Sequence, residues 1–217
     1  MHLERRLQQA GFLNSLAQTL LKAASPGIPD FYQGSEVWDI SLANPDNRRP
    51  VEYHARKAML QDLDAREEKD GAEATARALM CVPESGGIKM WVTSRLLRFR
   101  RAQPDLFAHG SYSVLRSKGP RNRNLIAFGR AMRGQRMIAL VGRFFAEIDA
   151  IPYPDRALGI WKETTFRLPA EFAGLRYRDI LTGRVFEPIS TSMGATLTLH
   201  EVLDVMPVAL LTNVETA

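Results

Sequence analysis

The sequence predicts an α+β protein with its helices first and its strands second. Two observations carry this. Up to about residue 104, apolar residues recur at three- and four-residue steps; from Gly110 onward, short alternating segments are divided by turn residues. The change falls at 104–110, which divides the chain into a helical unit, 1–105, and an all-β unit, 106–217.

Residues 3–24 read as an amphipathic helix. Leu3, Leu7, Ala10, Leu13, Ala17 and Leu20 supply the stripe, and Ser25-Pro26-Gly27 ends it. Ile28 to Tyr32 is a short extended run, followed by a loop from Gln33 to Pro50. A lone strand cannot satisfy its own backbone groups. The run is therefore expected to be irregular or to pair with another chain. Helix returns at 51–68 behind Pro50, with Tyr53, Ala55, Met59, Leu60 and Leu63 offered to a core. A short Ala-rich helix follows at 72–80. Another spans 87–102, with Ile88, Trp91, Val92, Leu96 and Phe99 on one stripe, and Pro104 stops it. Strands are expected at 111–116, 124–131, 135–142, 164–168, 176–181, 184–187, 195–200 and 205–212. Lys118-Gly119-Pro120, Arg133-Gly134 and Thr182-Gly183 mark turns. The second half thus reads as an antiparallel sandwich of about a hundred residues.

Composition excludes several function classes. Of 217 residues, 45% are hydrophobic and 24% charged, which suits an ordinary core. No apolar run approaches the ~20 residues of a membrane span, and the N-terminus lacks a signal-peptide core. The reading is a cytoplasmic protein without a membrane partner. The net charge of +5 comes from dispersed arginines, with no zinc-finger, helix-turn-helix or RNA-binding pattern, so no nucleic-acid partner is expected. Cys81 is the single cysteine and reads as a buried, inert thiol. The four histidines lie far apart, without metal-ligand spacing. No Walker loop, Gly-x-Ser-x-Gly or Gly-x-Gly-x-x-Gly occurs.

The run Pro26-Gly27-Ile28-Pro29-Asp30-Phe31-Tyr32-Gln33-Gly34-Ser35-Glu36 resembles the last barrel strand of α-amylase-superfamily enzymes. Those commonly show Gly-x-Pro-x-aromatic-Tyr-x-Gly-x-Glu there. Trp38-Asp39-Ile40-Ser41-Leu42 and Asn44-Pro45-Asp46-Asn47-Arg48-Arg49-Pro50-Val51 narrow the likeness to the maltooligosyl trehalose synthases. Ile88-Lys89-Met90-Trp91, Leu96-Leu97-Arg98-Phe99-Arg100, Pro104-Asp105-Leu106-Phe107 and Met206-Pro207-Val208-Ala209-Leu210-Leu211 extend it. Residues 143–175 match weakly.

The resemblance implies that 1–105 is the end of a TIM-type (β/α)8 barrel and that 106–217 is a C-terminal β-sandwich. It implies an intramolecular transglucosidase. The reducing-end α-1,4 linkage of a maltooligosaccharide becomes the α,α-1,1 linkage of maltooligosyl trehalose, with no metal or organic cofactor. The family's three strand-end carboxylates belong to earlier strands, so no catalytic residue is assigned. The chain is expected to be a C-terminal piece, inactive by itself, with a homodimer formed through surface that truncation would expose.

Barrel sites lie in the loops after the strands. The expected sugar-binding residues are therefore Tyr32, Gln33, Trp38, Asp46, Asn47 and Arg48. Tyr32 and Trp38 present flat faces for a pyranose, and the others present paired donors and acceptors for hydroxyls. A plainer role stands beside each. Trp38 also suits core packing, Asp46 and Asn47 suit an Asx turn, Arg48 suits an internal carboxylate clamp, and Glu36 suits an arginine partner. A stand-alone α-glucan-binding or scaffold module is the alternative reading of the whole chain.

Overall fold

The computed structural model describes residues 3–39, 50–148, 153, 157–191 and 194–214. Helix α1, Leu3–Ala24, buries Leu13, Leu16, Ala17, Leu20, Ala23 and Ala24. The apolar stripe expected for it holds only from its third turn, because Leu3 and Leu7 are exposed. Helix α2, Tyr53–Asp70, is largely solvated and buries only Leu63. Its other apolar positions are too sparse to make a continuous face. Helix α3 spans Ala72–Cys81 and a 3-10 turn follows at Pro83–Ser85. Cys81 is exposed, contrary to the buried thiol expected, because it occupies the last helical position and faces away from Ala76, Leu79 and Met80.

Helix α4, Gly87–Ala102, buries Ile88, Met90, Trp91, Val92 and Leu96. Pro104 ends it as expected, and also begins helix α5, Pro104–His109. Proline suits a first helical position, where an N–H is not needed.

The second half forms two antiparallel sheets. The strands are β1 Ser113–Val114, β2 Ser117–Lys118, β3 Leu125–Met132, β4 Gln135–Gly142, β5 Thr165–Leu168, β6 Tyr177–Asp179, β7 Val185–Phe186, β8 Ile189–Thr191, β9 Gly194–Thr198 and β10 Val208–Asn213. The six-stranded sheet runs β1-β3-β4-β10-β6-β7 and the four-stranded sheet β2-β5-β9-β8. The β3–β4 hairpin closes Met132 against Gln135 through Arg133 and Gly134, both at positive φ. That is the turn geometry whose twist matches the flanking strands. Between Leu168 and Tyr177 a 3-10 turn spans Ala170–Phe172. Two short helices complete the fold, α6 Ala157–Ile160 and α7 Leu199–Val202.

Two expected strands differ in kind. The predicted 111–116 strand shortens to β1, which joins the larger sheet through β3. A separate strand beyond it, β2, joins the smaller sheet through β5, with Lys118 in that strand rather than in the expected turn. The predicted 195–200 strand ends at Thr198 and turns into α7. Residues 28–32 form no strand, and Ile28 stays 97% exposed.

The helices lie on the larger sheet rather than only on one another. Helix α1 packs on α4, β4 and β10, and α5 packs on β3. One apolar core therefore runs from Leu16 and Trp91 through Ile138 and Leu210. Polar ties cross the same boundary. Trp91 Nε1 donates to the Leu181 carbonyl at 3.1 Å. Arg95 donates to the Ile180 carbonyl and pairs with Glu67 of α2. Asp204 receives Arg77 at 2.8 Å and also Arg184. Arg130, buried in β3, donates to the carbonyls of Phe107 (2.9 Å), Gly110 (3.0 Å) and Ser111 (3.3 Å). It fixes the link between the helices and the sheets. Burial holds its pKa below the ordinary arginine value, and Arg100 adds to the effect.

Candidate functional site

The segment 25–39 leaves α1 as an irregular chain and is held from three sides. Arg100 of α4 donates to the Ala23 carbonyl at 2.8 Å and to the Gly27 carbonyl. Lys22 places its ammonium 3.8 Å from the centre of the Phe31 ring, a cation–π contact. Gln33 to Val37 then form a turn, with Ser35 donating its N–H and hydroxyl to the Tyr32 carbonyl.

Tyr32 is 57% exposed, and its ring is open to a ligand. Gln33 accepts a hydrogen bond from the Tyr53 hydroxyl at 2.5 Å. Tyr53 is itself 56% exposed. The two tyrosines and the amide thus form one outward-facing group at the start of α2. The sequence offered Tyr53 to the core. Its place behind Pro50 at a helix entry was the one signal that it stays outside.

Trp38 has a different setting. Its ring stacks on Phe12 of α1, with centroids 4.6 Å apart and planes 22° apart. Its indole N–H donates to the Pro83 carbonyl at 2.6 Å. Lys89 donates to the Val37 carbonyl at 3.1 Å and lies 5.6 Å from the Trp38 ring centre. Burial first, then Lys22, depresses the Lys89 pKa, while Asp39 and Glu36 oppose that. Gly86, at φ 77°, meets this turn so closely that an added Cβ would lie 2.9 Å from the Val37 Cβ. In this chain Trp38 anchors the loop to α1 and to the turn before α4.

Glu36 has the arginine partner expected of it. Arg56 Nε lies 3.2 Å from its carboxylate, without hydrogen-bond alignment, and Arg56 also donates to the Gly34 carbonyl at 3.2 Å. Asp46, Asn47 and Arg48 lie outside the described residues. The structure therefore brings together Tyr32 and Gln33, adds Tyr53, and sets Trp38 inward of them. Among the described residues, no three His, Cys, Asp or Glu side chains converge as a metal site. No described helix is long and apolar enough to cross a membrane.

The arrangement can stack a flat polyol on Tyr32 and hydrogen-bond its hydroxyls through Gln33.

No protein-family profile matches the chain. A Mycobacterium tuberculosis protein carried under the name maltooligosyl trehalose synthase is 32% identical over 157 residues, which is 69% of this chain. The maltooligosyltrehalose synthase of Arthrobacter ramosus has a solved structure that covers 98% of this chain with a TM-score of 0.73 and 35% identity. The likeness is to maltooligosyl trehalose synthase. This chain spans 17% of the length of the mycobacterial relative and 23% of the Arthrobacter chain. An Anoxybacillus α-amylase shares the fold at 16% identity and a TM-score of 0.52, over 94% of this chain and 33% of its own.

Proposed function

We propose that this chain is the C-terminal part of an intramolecular transglucosidase, a (1→4)-α-D-glucan 1-α-D-glucosylmutase of trehalose biosynthesis. The observation that carries the reading is the 35% identity with the Arthrobacter ramosus maltooligosyltrehalose synthase along 98% of this chain. In this reading 1–105 closes the barrel, 106–217 is a β-sandwich beside it, and the protein works in the cytoplasm. Residues 28–39, with Asp46, Asn47 and Arg48, border the sugar site.

The reaction follows a retaining course. A carboxylate attacks the anomeric carbon of the penultimate unit while an acid protonates the leaving oxygen. The released glucose, held in place, attacks again through its own anomeric hydroxyl. Chain length is unchanged and the reducing end is lost. The carboxylates come from barrel strands outside this sequence, so the chain by itself is inactive. Its contribution is positioning: Tyr32 carries a glucose face, Gln33 bonds a hydroxyl, and Trp38 holds the loop that presents them. Holding the freed glucose against re-solvation is where such contacts contribute most to rate.

The test uses maltohexaose and a reducing-end assay. The chain alone should leave reducing ends unchanged. In the longer enzyme, Tyr32→Ala should raise KM by about tenfold, the equivalent of roughly 1.4 kcal/mol of stacking and positioning. Loss of reducing ends with the chain alone would overturn the reading. The exposed pair Tyr32 and Tyr53 favours one second reading, an α-glucan-binding module without catalysis. That reading requires this chain to give a binding isotherm with maltohexaose.

A further inference from the structure

Strand register places two arginines face to face at the end of the four-stranded sheet. Ser117 pairs with Phe166 across β2 and β5. One residue further, the Arg167 N–H donates to the Arg116 carbonyl at 3.0 Å. Arg116 and Arg167 are thus directly opposite, where like charges repel. Several other arginines have carboxylate partners, Arg56 with Glu36, Arg77 with Glu73 and Asp204, Arg95 with Glu67 and Arg98 with Asp64, while Arg100 and Arg130 donate to backbone carbonyls. Neither Arg116 nor Arg167 has an ion pair or side-chain hydrogen bond among the described residues. Glu171, which follows the wall of the cleft, bonds Ser113 Oγ at 3.0 Å instead.

The same two arginines border a cleft of about 480 Å³ whose remaining lining includes Val114, Leu168, Pro169 and Ala173. That size falls within the range of small-molecule sites, as does an apolar wall with a few charged groups. Gly194 completes the rim at φ 114°, and a Cβ there would lie 3.2 Å from Arg167 Nε. Any other residue would fill the space in front of the guanidinium. Thr196, paired with Arg167 on β9, adds a hydroxyl on the same face.

We propose that this cleft binds a small anionic metabolite, a phosphate monoester or carboxylate, with its anion between Arg116 and Arg167 and its body against Val114 and Pro169. An anion there removes the repulsion and gives both guanidinium forks a bidentate partner. Two cations beside an apolar wall do not make the long basic stripe that a nucleic acid requires. The site is separate from the Tyr32 loop, so it is a place for regulation or for a second ligand rather than for the glucan.

Calorimetric titration of this chain with glucose 6-phosphate, inorganic phosphate and glucose tests the proposal. The sugar phosphate should bind in the millimolar range or tighter, inorganic phosphate more weakly, and glucose not at all. Arg116→Ala and Arg167→Ala should each weaken the phosphate ester by about tenfold or more. Both should keep or slightly raise Tm, since each relieves the repulsion. Arg133→Ala, on the distant β3–β4 turn, should change nothing. Flat titrations with both phosphates would overturn the site. So would equal loss in Arg133→Ala, which would mean diffuse charge, or binding confined to a long polyanion such as heparin.

Discussion

Asp179 sits at the end of β6, 1% exposed, with only hydrogen-bond donors for company. Its Oδ1 accepts from the N–H groups of Leu181 (3.1 Å) and Leu210 (3.2 Å), and its Oδ2 accepts from Thr182 Oγ1 (2.7 Å). Burial nevertheless dominates and pushes its pKa up to about 6. The folded protein therefore holds a proton here more tightly than the unfolded chain, whose Asp titrates near 3.9. Between about pH 4 and pH 6 the unfolded state binds fewer protons, so stability falls as pH rises and levels off above the folded pKa. The lift of about two units to a pKa of about 6 corresponds to roughly 3 kcal/mol. Asp179→Asn removes the charge and keeps a carbonyl for Leu181 and Leu210, at the loss of the Thr182 bond. Thermal unfolding of both proteins from about pH 4 to pH 7.5 should show the variant gaining on the parent by roughly 3 kcal/mol, or about 5–10 °C of Tm, across that window. A variant that loses ground as pH rises would refute the reasoning. It would mean that three donors outweigh desolvation and hold the carboxylate ionised.

Three further perturbations address the joints of the molecule. Trp38→Ala removes the Phe12 stack and the bond to Pro83; denaturant melts should show a loss of about 2–3 kcal/mol. An unchanged midpoint would free Trp38 for the sugar. Arg130→Met leaves the carbonyls of Phe107, Gly110 and Ser111 without their donor, and should cost roughly 3–5 kcal/mol, read in the same assay. Gly86→Ala meets Val37 and a positive φ, and should cost about 1–2 kcal/mol, with Trp38 fluorescence reporting the displaced loop.

Local physics made much of this fold legible. The bounds 3–24 and 87–102 were readable because a stripe met clear punctuation at Pro26-Gly27 and Pro104. The β3–β4 hairpin was readable from alternation around Arg133-Gly134. Residues 113–118 were not, since their division between two sheets depends on partners 14 to 49 positions away, Phe128 and Phe166 among them. Trp38 shows the same limit at the site. Its residue type suits a sugar platform, but only the assembled fold brings Phe12 and the Pro83 carbonyl to it. Tyr53 shows the converse, an aromatic on a helix that α2 turns outward. The opposed pair Arg116 and Arg167 is a product of register, and no spacing in the chain announces it.

The bond from Trp91 to Leu181 has a consequence for synthesis. Donor and acceptor are 90 residues apart. At ~5–20 residues per second, the ribosome delivers the indole roughly 5–20 s before the carbonyl that receives it. Helix α4 therefore emerges before the segment that completes its surroundings, and a nascent chain in that interval carries Trp91 without the carbonyl that receives it. The helical half waits for the strands, and its apolar side is the surface a holdase would meet first.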